Sequence, residues 1–320
     1  MKNLILFFSL IIIIMSCKKE SELEETIDAI NTDISIERFD QFFGNASIND
    51  LPKLKQAYPF MFHKKFQDSF WIEKIEDTLH QELVREVQKK YPDFDAEELE
   101  IESLFNHLKY YFPEFNPPRV ITTTSMVDYR NSVIITDTIA LIALDTYLGE
   151  NHYFYQGIQK FIRKNFKKEQ IVVDMATKYA ERYIYQPQRK TLLDEMIYFG
   201  KVLYFKDVML PNKTEAERIG YSDAEIDWAR ANENYIWRYF VERELLYSKD
   251  AKLPRRFINP APFSKFFLEE IDTNSPGSIG QYLGWQIVKA YMNHNEVALK
   301  DMLRMKPEDI FNNSKFKPHK

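Results

Sequence analysis

The sequence predicts an α+β protein that is predominantly helical, a single domain with a small three-stranded sheet. Three observations carry this. Apolar residues recur at helical spacing over most of the chain. Runs of β-branched residues fall in one cluster, Arg119 to Leu144, and do not alternate with helices as βαβ units would. Only 8 Gly occur in 320 residues, too few for an all-β chain of many tight turns.

The 45% hydrophobic content, with 25 Phe and 19 Tyr, supplies ample material for a packed core. The formal net charge of -5 and the short basic clusters (Lys18-Lys19, Lys167-Lys168, Arg255-Arg256) speak against a nucleic-acid partner. One cysteine, Cys17, cannot form an internal disulfide.

The amino terminus reads as an address. Lys2 precedes an apolar run, Leu4 to Met15, of signal-peptide length and too short for a comfortable membrane span. The following Ile14-Met15-Ser16-Cys17 resembles a bacterial lipobox. That resemblance implies cleavage before Cys17 and acylation of Cys17, whose acyl chains would hold the protein on a membrane. The expected organisation is a signal peptide over 1–16, a lipidated charged tether over 17–31 and a globular domain over 32–320. The tether is rich in Glu and poor in aromatics, as a solvated segment should be. Lys18, not Asp, after the cysteine favours the periplasmic face of the outer membrane.

Helices are predicted over Asp50 to Ala57, Phe70 to Lys90 and Ala96 to Phe112, the last capped by Asp95 with Glu98 three residues on. Pro113 and Pro117-Pro118 end it. Strands follow at Arg119 to Met126, Ser132 to Thr136 and Ile139 to Leu144, with a turn at Asp128 to Asn131. Further helices are expected at Tyr153 to Lys164 and Lys168 to Tyr183. Thr191 to Asp207 is the central one, apolar almost all round and therefore buried. A long helix from Asp223 to about Tyr247 starts at a Ser222–Glu225 capping box. Arg255 to Lys265 reads as a loop. Pro276-Gly277 turns the chain into a helix over Ser278 to Asn293, where Gly280 and Gly284 let another backbone approach. Two short helices, Glu296 to Met305 and Pro307 to Asn312, end the chain.

Asp194, Tyr198 and Lys201 recur at i, i+4 and i+7 on the central helix, with Glu195 beside them. They form a candidate polar face, expected to be structural. A zinc peptidase would carry His-Glu-x-x-His on such a helix. The best match here is Asp194-Glu195-Met196-Ile197-Tyr198, which keeps the general-base Glu and lacks both imidazoles. The six His residues share no helical turn, no Gly-x-Ser-x-Gly elbow is present, and adjacent carboxylates on a helix point apart. No cofactor, metal site or catalytic residue is expected.

Several stretches together resemble the gliding-motility lipoprotein GldB family of Bacteroidetes: Ile36 to Asp40, Ala143 to Tyr155, Leu192 to Phe205, Asn232 to Phe240, Ser275 to Met292 and Ser314 to Pro318. That family is distantly similar to zinc peptidases with His-Glu-x-x-His where Asp194 to Tyr198 stand, which implies a degenerate zincin-like fold without its metal ligands. The resemblance implies a membrane-anchored accessory or scaffold for gliding motility and the associated type IX secretion machinery, with other envelope proteins as partners. The alternative is a zinc metallohydrolase-like enzyme with atypical ligands around Asp194-Glu195.

Overall fold

The computed structural model describes residues 22–319; the expected signal peptide and Cys17 lie outside them. Residues 22–28 form a helix, α1. Part of the expected solvated tether is therefore folded: Ile27 is fully buried, and Glu24 lies 3.3 Å from His107 Nε2. One apolar residue with something to pack against outweighs the charged composition around it.

The chain continues through β1 (Ile36–Glu37), α2 (Phe39–Gly44), α3 (Leu51–Ala57), α4 (Asp68–Glu76), α5 (Thr78–Lys90) and α6 (Asp95–Tyr111). The single helix expected from Phe70 to Lys90 is two. Asp77 is extended, and its carboxylate caps α5 by accepting from the Leu79 N–H at 2.9 Å. Helix α6 is not capped by Asp95, which is its first residue; Phe94 holds the cap position without a side-chain bond. Asp95, Glu97 and Glu98 instead place negative charge in the first turn, where the helix dipole favours it.

The sheet has four strands, not three. Its order is β1, β2 (Arg119–Thr123), β4 (Ile139–Ala143), β3 (Val133–Ile135). The missed strand, β1, is two residues long and too short to show alternation. It pairs parallel with β2, Ile36 opposite Val120. Strand β4 is parallel to β2 and antiparallel to β3. Alternation divides the faces: Val120, Ala140 and Ile142 enter the main core, while Ile121 joins a satellite cluster with Phe39, Phe43, Phe62 and Trp71.

Beyond the sheet the chain is helical. Helices α7 (Lys160–Arg163), α8 (Ile171–Tyr183), α9 (Leu192–Met209) and α10 (Glu215–Ile219) precede α11 (Asp223–Ala231) and α12 (Glu233–Glu242). The expected helix over Tyr153 to Lys164 is only a 3-10 turn, Tyr153–Tyr155, and the short α7. The long helix expected after Ser222 breaks at Asn232, whose side chain donates to the Trp228 carbonyl; the Ser222–Glu225 capping box is present. Next come α13 (Leu253–Phe257), which begins the expected loop, then α14 (Glu269–Asp272), α15 (Ile279–His294), α16 (Leu299–Met302) and α17 (Pro307–Asn313). Among the described residues no helix is long and apolar enough to cross a membrane.

Helices α9 and α15 form the centre. Met196, Ile197, Leu203 and Phe205 of α9 are buried with Leu283, Trp285 and Ile287 of α15. Gly200 and Gly284 meet backbone to backbone: a Cβ on Gly200 would lie 2.3 Å from the Gly284 carbonyl oxygen.

Candidate functional site

The polar positions of α9 are held from the loop that precedes it. Asp194 completes a capping box: Thr191 Oγ1 accepts from the Asp194 N–H at 3.1 Å, and Asp194 Oδ2 accepts from the N–H groups of Thr191 and Lys190, both at 2.9 Å. The Thr191-x-x-Asp194 spacing is the sequence signal that would have located this cap. Arg189 gathers the next two residues. Its guanidinium lies 3.4 Å from Glu195 and stacks 4.2 Å from the centre of the Tyr198 ring. Burial raises the Glu195 carboxyl above its ordinary range; Arg189 opposes this and Asp194 adds to it. Burial likewise raises the Tyr198 phenol.

Lys201 shares their helical face but not their surroundings. It is fully buried, covered by the segment after α16. Its ammonium donates to the carbonyls of Met305 at 2.6 Å and Leu303 at 3.3 Å, and to Gln186 Oε1 at 3.5 Å. Gln186 also donates to the Asp194 carbonyl at 2.7 Å, so the 184–190 loop joins both ends of the polar face. Among the described residues no three His, Cys, Asp or Glu side chains come together as a metal site would require.

A second buried ammonium, Lys206, donates to the Arg218 carbonyl at 2.9 Å. Burial pushes both Lys201 and Lys206 from 10.5 down to about 8. The unfolded chain keeps these protons up to about pH 10.5, and the folded chain releases them from about pH 8. The unfolded state therefore holds more lysine protons between those limits, and the lysine contribution to stability rises with pH across that window, by up to about 1.4 kcal/mol per unit and per lysine. The urea midpoint of the full-length protein should climb between pH 8 and 9, before the tyrosines that are buried in the fold begin to ionise in the unfolded chain and oppose the rise. The climb should shrink in Lys201→Met and Lys206→Met. A midpoint flat over that range would mean that the carbonyls hold both ammoniums at their ordinary pKa.

A larger concave surface lies elsewhere, over α12. It is a groove of about 630 Å³ bordered by Trp228, Tyr235, Arg238, Tyr239, Phe266 and Leu268. The aromatic residues of α11 and α12 divide among several faces in the fold. Phe240 is buried in the core, and Trp237 packs on Phe311 and Phe316. Tyr235 faces out, 70% exposed. The groove floor is rigid: the Tyr239 hydroxyl donates to the Phe266 carbonyl at 2.7 Å and accepts from Arg256 at 3.0 Å, and Arg243 stacks on the Tyr239 ring. Tyr, Trp and Arg are the side chains that anchor protein interfaces.

These features define a mostly helical α+β protein whose central polar face is engaged internally and whose aromatic groove is open. The chain belongs to the gliding motility protein GldB family, whose model matches residues 20–318. No curated protein and no solved structure matches it.

Proposed function

We propose that the protein is a lipoprotein of the cell envelope, anchored through Cys17, that serves gliding motility and the linked secretion machinery without catalysis, by binding another envelope protein. The observation that carries the reading is the groove over α12. It offers exposed aromatic surface beside a floor already locked by hydrogen bonds, so little side-chain entropy is lost on binding. Among the described residues, Arg238 and Arg243 border it with one acid, Glu242, which pairs with Arg238 at 3.1 Å. The remaining positive charge suits a partner segment with apolar anchors and acidic flanks. Asp194, Glu195, Tyr198 and Lys201 act in this reading as a brace between α9, its preceding loop and the carboxyl-terminal segment. The outer membrane, periplasmic face, is the proposed location.

The test places a photo-crosslinking residue at Tyr235 of the full-length protein in its native envelope. One envelope protein should be captured there and none from Leu79, exposed on α5. The double variant Arg238→Glu/Arg243→Glu should lose the crosslink and colony spreading at matched protein level. Normal spreading of that variant would sink the groove reading. Cys17→Ala should move the protein out of the membrane fraction; retention there would remove the lipid anchor from the proposal.

A further inference from the structure

A smaller concavity lies beyond the carboxyl ends of β1 and β2, at the edge of a parallel pair where α/β sheets commonly hold ligands. Its volume is about 190 Å³, and Phe39, Phe43, Trp71, Asp40, Lys74 and Thr124 are among its lining. At about 30 Å³ per water, it would hold about six waters or one compact organic molecule.

Its polar groups do not balance. Asp40 is occupied: Arg38 donates to both carboxylate oxygens, each at 2.9 Å, and Thr122 donates to one of them. Asp145, the carboxylate whose charge acts on Lys74, is fully buried and accepts from the N–H groups of Val127 at 2.6 Å and Ser125 at 2.9 Å. Those donors sit in a loop where Met126 and Val127 both have positive φ. A β-branched residue adopts that conformation only under constraint, here around the Asp145 carboxylate.

The donors, by contrast, are in surplus. Lys74, half-buried, has no hydrogen-bond or ion-pair partner among the described residues; its ammonium lies 5.9 Å from the centre of the Phe43 ring. Burial pushes its pKa down, with Asp145 opposing. The Trp71 indole N–H is buried and has no acceptor. His80, 3.2 Å from Thr124 Oγ1, is driven toward its neutral form by burial and by the charge of Lys74. Two donors without acceptors beside an apolar wall is the arrangement an anion would complete.

We propose that this cavity binds a small carboxylate carrying a compact apolar group, the carboxylate on Lys74 and the Trp71 N–H and the apolar part against Phe39 and Phe43. This site is independent of the groove over α12. The carboxylate supplies the missing acceptors, and the rings select against a bare inorganic anion.

The test titrates benzoate into the full-length protein by calorimetry. One saturable site is expected, with neutral benzamide and inorganic phosphate each at least tenfold weaker. Lys74→Gln should weaken benzoate at least tenfold while its urea melt stays in place. In the parent protein, benzoate should shield Lys74 from acylation by an amine reagent, read by mass spectrometry. That readout decides the matter should Lys74→Gln fail to fold. Absence of saturable binding overturns the proposal. So does benzamide binding as well as benzoate, phosphate binding in its place, or undiminished Lys74 acylation under saturating benzoate.

Discussion

Replacing Gly284 by alanine is expected to lower stability by about 3 kcal/mol or more, enough to leave much of the chain unfolded. The added Cβ would stand 1.8 Å from the carbonyl oxygen of Met196 and 2.4 Å from its carbonyl carbon. Both are backbone atoms of α9, so no rotamer change relieves the clash. Relief requires α9 and α15 to separate. That would open the packing of Met196 and Ile197 against Leu283 and Trp285, all fully or almost fully buried. Gly200→Ala should act in the same direction, since its Cβ would meet the Gly284 carbonyl. Gly157→Ala is the control, because nothing lies within 4 Å of the Cβ it would add. Urea melts of the three variants beside the parent decide the matter. A Gly284→Ala midpoint equal to that of Gly157→Ala would show that the two helices have slack.

The second large effect is expected at Asp207. This carboxylate accepts from Trp285 Nε1 at 2.6 Å and from Arg218 Nη1 at 3.0 Å, with the Lys289 ammonium 3.7 Å away. It joins α9 to α10 and α15. Burial raises its pKa, and Lys289, Trp285 and Arg218 all oppose that rise. Asp207→Ala removes the one group that satisfies a buried indole N–H and offsets two cations. Breaking a buried pair from one side costs about 3–5 kcal/mol, because the other side is left uncompensated. Lys289 and Arg218 keep other partners, Glu215 for the first and the Leu210 and Pro211 carbonyls for the second, which places the loss toward the lower end. Asp207→Asn retains an acceptor for Trp285 and should lose less. Equal stability of Asp207→Ala and the parent would mean that water takes over these contacts.

Sequence periodicity alone was sufficient for the central helix. Leu192, Met196, Ile197, Leu203 and Phe205 point all round α9, and a helix apolar on most sides has to be covered. The Ser222–Glu225 capping box was legible because both partners lie within four residues of each other. Gly280 and Gly284, one turn apart, marked α15 as a face for close approach. Local chemistry specified these features, and the fold left them unchanged.

The rest was decided by contacts between residues far apart in the chain. Strand β1 is two residues whose parallel partner stands 84 positions later, Ile36 against Val120, and two residues carry no period. Asp77 and Asn232 interrupt helices where the apolar pattern runs on, because their side chains bond the local backbone. Spacing put Asp194, Tyr198 and Lys201 on one face of α9, yet only the tertiary structure covers Lys201 with the carbonyls of Leu303 and Met305, more than a hundred residues on. The groove and the Lys74 cavity belong to the same class. Tyr235 and Phe266 border one, and Trp71 and Thr124 the other, only after the chain has closed. Helical and strand periods report which face of an element is apolar; what lies against that face is set by packing among distant segments, which no local pattern encodes.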